Sequence, residues 1–282
     1  MNLAREPEAV TVRGYNGLNL NVWDYGGSGT PLLLCHCTGT LGRIWDPVVA
    51  RLGDQFRVLA PDTRGQGDSE APSDRHDYRW DYSGKDLLAV AKHFSLPPGV
   101  GAAGHSAGGA HLGYAALESP DCFGRIMLLD AVVADRQFFQ GSNPLAEKVR
   151  RRKNTFESKD AARERLCSKA PMSYWHPMAQ AAYLSHAFED APDGSCTLKC
   201  PGTREAWYYE LGGASDLFER LGEITVPTAL VTGEKSYGHA WVEAQQARLA
   251  NTHMDIVSGA GHFIPQEKPE ETAALIATWF EG

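Results

Sequence analysis

The sequence contains no apolar run longer than a handful of residues, and its start, Met-Asn-Leu-Ala-Arg-Glu-Pro-Glu, has no basic stretch leading into an apolar one. Neither a membrane-spanning helix nor an export signal is expected. Basic side chains are also in short supply: 27 Lys and Arg stand against 35 Asp and Glu, a formal net charge of −8. Nucleic acid and anionic membrane both require clustered cations opposite their phosphates, so the charge balance argues against either partner. Cysteine is sparse, 6 in 282 residues, too few for a disulfide framework, and without an export signal the thiols read as reduced and the protein as cytoplasmic. Cys196 and Cys200 are close in sequence, yet no second Cys/His pair lies at finger-like spacing, so no structural zinc is expected. Internal repeats and low-complexity stretches are absent.

What is present is a length and an apolar content, 282 residues and 43% hydrophobic, sufficient for one large α/β domain with a sizeable core. Short β-rich runs alternate with helical stretches, the pattern of a parallel sheet wrapped by helices. The clearest strands are Pro31–His36, Arg57–Pro61, Val100–His105, Arg125–Asp130, Pro227–Gly233 and Met254–Ser258. In open parallel sheets ligands bind beyond the carboxyl ends of the strands. Chemistry is therefore sought at His36 to Gly39, Asp62, Ser106, Asp130 and Gly233 to Ser236. From about Ala134 to Arg220 the alternation stops and helices and loops carry Trp175, Tyr183, Phe188, Trp207, Tyr208 and Tyr209. The predicted organisation is a core over 1–133 and 221–282, interrupted by a helical lid over 134–220.

The sharpest signal is Gly104-His105-Ser106-Ala107-Gly108, a G-x-S-x-G directly after a strand and directly before a small-residue helical run. That context is the nucleophile elbow: a strand-to-helix turn so tight that glycines flank the serine, whose hydroxyl projects above the sheet edge. The helix starting there offers free backbone N–H groups to a developing oxyanion.

Three further motifs join the elbow. Leu34-Cys35-His36-Cys37-Thr38-Gly39 follows the first parallel strand, Pro61-Asp62-Thr63-Arg64-Gly65-Gln66-Gly67-Asp68-Ser69 follows the next, and Gly261-His262-Phe263 lies near the end of the chain. With these the sequence resembles the α/β-hydrolase superfamily over nearly its whole length: an oxyanion segment, a P-D-x-R-G-x-G-x-S loop, the elbow, and a late G-H-x. The resemblance implies a mostly parallel central sheet flanked by helices, an inserted helical cap, no cofactor and no metal. It also implies a nucleophile, acid and base in the chain order Ser, acid, His.

On that pattern Ser106 is the nucleophile and His262 the general base, while His36 and His105 shape the pocket or satisfy backbone groups. The acid is open. The family's commonest position falls at Ser236, in Gly233-Glu234-Lys235-Ser236, where no aspartate stands. A subset of the superfamily takes its acid from the end of the preceding strand, which here is Asp130, and Asp130 is favoured over Glu234. A histidine base needs such a carboxylate to fix its tautomer and stabilise its charged form. The oxyanion amides implied are those of Ala107 and Thr38, with Cys37 departing from the family's glycine. Cys37 reads as a packing thiol, Asp62 and Arg64 as organisers of their loop, and Arg150-Arg151-Arg152 as a solvated helix face rather than a grip on an anionic substrate. The expectation is a serine hydrolase acting on a small-molecule ester or lactone with an apolar acyl group. Carbon–carbon, thioester and amide hydrolysis stay open as alternatives on the same residues, as does a weakly active ligand receptor, and the oligomeric state is not set by the sequence.

Overall fold

The computed structural model describes residues 6–135, 143–212 and 216–281. Its centre is an eight-stranded sheet in the order β1-β2-β4-β3-β5-β6-β10-β11. The strands are β1 Glu8–Arg13, β2 Asn19–Asp24, β3 Thr30–Cys35, β4 Phe56–Pro61, β5 Val100–His105, β6 Phe123–Leu129, β10 Thr228–Gly233 and β11 Thr252–Val257. All six expected strands are there, and from β4 to β11 every pairing is parallel. Two strands the sequence reading missed, β1 and β2, pair antiparallel to each other, and β2 pairs antiparallel to β4. Their alternating exposure, with one face open to solvent, leaves only a weak hydrophobic signal.

The core strands are apolar on both faces, as a sheet covered by helices on each side requires. Side-chain alternation divides them cleanly. Leu32, Leu34, Ala103, Met127, Leu129 and Val231 meet one cluster, to which α1 (Asp46–Leu52) and α11 (Pro269–Glu281) contribute Val48 and Ile276. Leu33, Ala102, Ile126, Leu128 and Leu230 point the other way, toward Val90 of α2 (Trp80–His93), Leu112 of α3 (Ala107–Glu118) and Val242 of α9 (His239–Gln246). Truncating one of these fully buried leucines costs about 2–5 kcal/mol.

Two features of the topology place the site. The chain moves from β3 to β4 on one side and then crosses to β5 on the other side of β3, so the loops after β3 and β5 diverge above a topological switch point, where open α/β sheets bind ligands. The register of β5, β6 and β10 aligns His105 with Leu129 and Leu129 with Val231, which brings the residues following each strand to one rim.

The segment inserted between β6 and β10 contains α4 (Pro144–Arg150), α5 (Lys159–Cys167), α6 (Pro177–His186) and α7 (Gly202–Gly212), followed by the short α8 (Leu217–Arg220). It also carries a small antiparallel sheet of β7 (Thr155–Phe156), β8 (Phe188–Asp190) and β9 (Cys196–Leu198), in the order β7-β9-β8. The segment is thus not purely helical as expected. Strands of two or three residues leave no readable period. Residues 136–142, within the expected start of the insertion, lie outside the described residues. No helix among the described residues is long and apolar enough to cross a membrane.

Candidate active site

β5 ends at His105 and α3 begins at Ala107, so the single residue Ser106 turns the chain from strand to helix. Its φ of 56° and ψ of −120° are unfavourable for an L-residue. The surroundings hold it there: Ser106 N–H donates to the Leu129 carbonyl at 2.9 Å, and the Ser106 carbonyl accepts from Gly109 N–H at 3.1 Å and Val132 N–H at 3.2 Å. The flanking glycines are required by close approach. A Cβ on Gly104 would come to 2.5 Å from the Gly108 carbonyl oxygen, and one on Gly108 to 2.5 Å from those of Cys35 and His36.

His262 sits in the loop between β11 and α10 (Ile264–Glu267). Its Nε2 lies 3.1 Å from Ser106 Oγ and its Nδ1 2.5 Å from Asp130 Oδ2. The carboxylate can only accept, so Nδ1 carries the proton and Nε2 presents its lone pair to the serine hydroxyl. The His262 carbonyl accepts from His105 Nε2 at 2.9 Å. Burial depresses the His105 pKa to about 3, so His105 is a neutral strut under the loop that carries the second histidine.

Asp130 follows β6 with φ 46°, and its N–H donates to the Val231 carbonyl at 2.7 Å. Thr232 Oγ1 donates to Oδ1 at 2.7 Å, and the Ser236 hydroxyl donates to Oδ2. Burial pushes this carboxyl up, but the His262 hydrogen bond and charge, with Ser236 and Thr232, outweigh it and hold the pKa below the ordinary value. Asp130 is therefore ionised beside the imidazole. Glu234 is exposed and turned elsewhere: it accepts from Gly259 N–H at 2.7 Å and Ser258 Oγ at 3.1 Å, bonds that lower its pKa. The structure brings Asp130, and not Glu234, to His262.

Ala107 opens α3, so its N–H has no acceptor within the helix. In the turn after β3, Gly39 N–H donates to Gln66 Oε1 of the loop after β4 at 2.5 Å and Thr40 N–H to the Cys37 carbonyl at 3.2 Å. Thr38 N–H takes no part in either bond. His36 braces this turn, with Nδ1 donating to the Cys37 carbonyl at 2.8 Å and Nε2 accepting from Thr63 N–H at 2.9 Å, and burial lowers its pKa to about 4. The Cys37 thiol is 2% exposed, and burial pushes its pKa up to about 12, which leaves no thiolate to act as a nucleophile.

The remaining residues singled out from the sequence fall outside this group. Asp62 ties its loop together by accepting from Gly42 N–H at 2.6 Å and Asp68 N–H at 2.9 Å, and Arg64 Nε meets Asp86 Oδ2 at 2.8 Å. Each arginine of the basic run faces its own carboxylate: Arg150 with Glu210 at 2.6 Å, Arg151 with Glu147 at 3.1 Å, Arg152 with Glu205 at 2.5 Å. Trp175 packs against Phe263 at 5.4 Å between ring centroids and against Tyr183 at 5.8 Å. Sequence reasoning missed Tyr237, whose ring lies over that of His262 at 4.8 Å and 32°. It also missed Thr232 and the role of Ser236. Their only sequence signal is position, just inside and just beyond the end of β10. Among the described residues every cysteine is free and no group of three or more His, Cys, Asp or Glu could hold a metal ion.

This architecture has known counterparts. The chain is 28% identical over 273 residues to the soluble epoxide hydrolase of Corynebacterium sp. (strain C12), covering 86% of this chain and 87% of the relative. It is 25% identical over 288 residues to the 2-(acetamidomethylene)succinate hydrolase of Mesorhizobium japonicum, covering 94% and 92%. Among solved structures, an E-2-(acetamidomethylene)succinate hydrolase superposes with a TM-score of 0.84 at 22% identity, covering 98% of this chain and all (100%) of that one. A thioesterase domain from the curacin biosynthetic pathway superposes with a TM-score of 0.80 at 21% identity, covering 97% and 100%. At such identities the superpositions speak for the fold. The family model described as "Alpha/beta hydrolase family" matches residues 32–275, and the chain belongs to that family.

Proposed function

We propose that the protein is a serine hydrolase that cleaves a carboxylic ester or lactone through an acyl-enzyme intermediate. The observation that carries this reading is the relay Ser106 Oγ to His262 Nε2 at 3.1 Å and His262 Nδ1 to Asp130 Oδ2 at 2.5 Å. In the reaction, His262 takes the hydroxyl proton as Ser106 attacks the substrate carbonyl. The tetrahedral oxyanion accepts from the Ala107 and Thr38 amides, and Asp130 stays ionised and stabilises the imidazolium. His262 then protonates the leaving alkoxide, and water repeats the sequence to release the acid. The inserted segment over 134–220 acts as the cap that shapes the acyl pocket above the strand ends.

A serine at the elbow bears on which chemistry the site can complete. A serine alkoxide opening an epoxide would form an ether, which water does not cleave under these conditions, whereas an acyl-serine ester is hydrolysed by the same base. Resemblance to an epoxide hydrolase is therefore read as shared ancestry of the scaffold. The relatives' names keep hydrolysis of a carbon–nitrogen bond as the second reading, because an amide passes through the same tetrahedral intermediate.

The test is steady-state hydrolysis of p-nitrophenyl esters from acetate to decanoate beside a Ser106→Ala control. Multiple turnovers that vanish in the control support the hydrolase, and the chain-length optimum sizes the pocket. Folded protein that releases at most one equivalent would instead mark a receptor.

A further inference from the structure

An ionised cluster lies buried against the oxyanion segment, and the reaction just described makes no use of it. Glu205, on α7, is 5% exposed, and its carboxylate lies over Gly39: a Cβ there would meet Glu205 Cδ and Oε1 at 2.8 Å. Only a glycine, here with φ 80°, admits a carboxylate so close to the residue after Thr38. Two side chains from the same inserted segment hold Glu205. The Tyr209 hydroxyl donates to Oε1 at 3.1 Å, while Arg152 Nη1 lies 2.5 Å from Oε2 and Arg152 Nη2 donates to the Cys200 carbonyl at 2.7 Å.

The charges of this cluster balance but its hydrogen bonds do not. Beyond the Arg152 ion pair, Glu205 Oε2 has no hydrogen-bond partner among the described residues, and Arg152 Nε and Thr38 Oγ1 are likewise buried without one. Buried polar atoms are seldom left unpaired, and Glu205 Oε2 and Thr38 Oγ1, both at the turn after β3, mark a place able to meet another polar group. The cluster borders the site through one contact: Glu205, held by Tyr209, packs on Gly39, the residue after Thr38, whose amide is the proposed oxyanion donor.

We propose that Glu205 is a specificity-determining residue whose Oε2 accepts a hydrogen bond from an N–H or O–H donor on the acyl part of the substrate. The substrate class is an uncharged acyl compound bearing a secondary amide or a hydroxyl beyond the scissile carbonyl. Arg152 cancels the Glu205 charge, so an ammonium gains no net attraction there, and a substrate carboxylate has no proton to donate to Oε2. This inference rests on the acyl-transfer reading above.

The experiment compares p-nitrophenyl 3-acetamidopropanoate and 4-acetamidobutanoate with their N-methyl counterparts, which lose the donor at almost the same volume. Wild-type protein is expected to prefer the N–H ester by about tenfold or more in kcat/KM at one of the two spacer lengths, the worth of a hydrogen bond to a charged acceptor. In Glu205→Leu the ratio falls to near one. Should that variant leave Arg152 unpaired and fail to fold, the double variant Arg152→Met/Glu205→Leu replaces the pair by apolar side chains of similar volume, a swap that buried ion pairs often tolerate, and the same collapse of the ratio is expected. Wild-type protein that hydrolyses both esters of each pair equally, or a preference that survives both variants, overturns the role of Glu205 and leaves the hydrolase standing. Absence of turnover on these esters and on simple p-nitrophenyl esters alike removes the hydrolase reading and this inference with it.

Discussion

The hydroxyl of Ser236 donates to Oδ2 of Asp130, the same oxygen that meets His262 Nδ1. Ser236 holds the place at which the commoner family pattern carries its carboxylate. Here the carboxylate arrives from the end of β6, and the serine on the β10 loop cradles it instead. Gly238 N–H occupies a Ser236 Oγ lone pair at 3.0 Å and so orients the hydroxyl proton toward Asp130. Ser236→Ala is expected to lower kcat about tenfold with KM little changed, the cost of one hydrogen bond to a charged group. An unchanged kcat would show that Asp130 is held without it.

Asp130→Asn leaves the shape of the site intact but favours the wrong histidine tautomer. By analogy with other serine triads, kcat should fall by about 10³–10⁴. Glu234→Gln should stay within about twofold of the parent, because Glu234 is bonded to Ser258 and Gly259 on an exposed turn. Steady-state rates on one ester, with circular dichroism to verify folding, decide the assignment. The opposite ranking would move the acid to the later loop.

Cys37 precedes Thr38, the proposed oxyanion donor, but is buried, with its thiol pushed up to about 12. Treatment with N-ethylmaleimide at pH 7 should leave ester hydrolysis intact, and Cys37→Ser should retain activity within about tenfold. Inactivation that keeps pace with labelling of Cys37 would contradict this.

Three histidines are buried in the neutral form: burial lowers His36 to about 4 and both His105 and His111 to about 3, from 6.5. A pKa lower in the folded state than in the unfolded one gives stability that is complete above about pH 6.5 and declines as the pH falls toward the folded values. Each histidine removes up to about 1.4 kcal/mol per pH unit across that window. Asp62 acts in the opposite sense, because burial raises it to about 6 and the folded state then takes up a proton that the unfolded chain does not. His111→Gln should flatten the dependence of stability on pH by up to about 1.4 kcal/mol per unit, measured from urea unfolding at pH 7, 6 and 5. An unaltered slope would mean that His111 takes up its proton in the folded protein as readily as in the unfolded chain.

The parts legible in the sequence are those whose neighbours lie close along the chain. Five of the six parallel strands announce themselves as apolar runs because both faces of each are covered, while β11, at the sheet edge, is partly exposed. The elbow is largely local as well, since Gly104 and Ser106 clash or strain within one turn, whereas Gly108 is required by the approach of β3. Asp130 is favoured over Glu234 on the sequence alone, and the contact that separates the two, His262 Nδ1 to Asp130 Oδ2 at 2.5 Å, joins positions far apart in the chain. The Arg152, Glu205 and Tyr209 cluster was not legible. It depends on α7 lying over the loop after β3, more than 150 positions earlier in the chain, and nothing in the local pattern of α7 separates a residue facing that loop from one facing solvent.

Ser106 occupies a backbone conformation that its own side chain disfavours, which sets stability and chemistry against each other at a single residue. Ser106→Ala removes the hydroxyl and keeps the strain, whereas Ser106→Gly removes both and gives back only part of the gain through the larger entropy of its unfolded chain. Two equally silent proteins would then differ in stability by the cost of holding residue 106 in that conformation, about 1–2 kcal/mol. The most tolerant scaffold this fold can offer for destabilising changes elsewhere is therefore one that has given up its reaction.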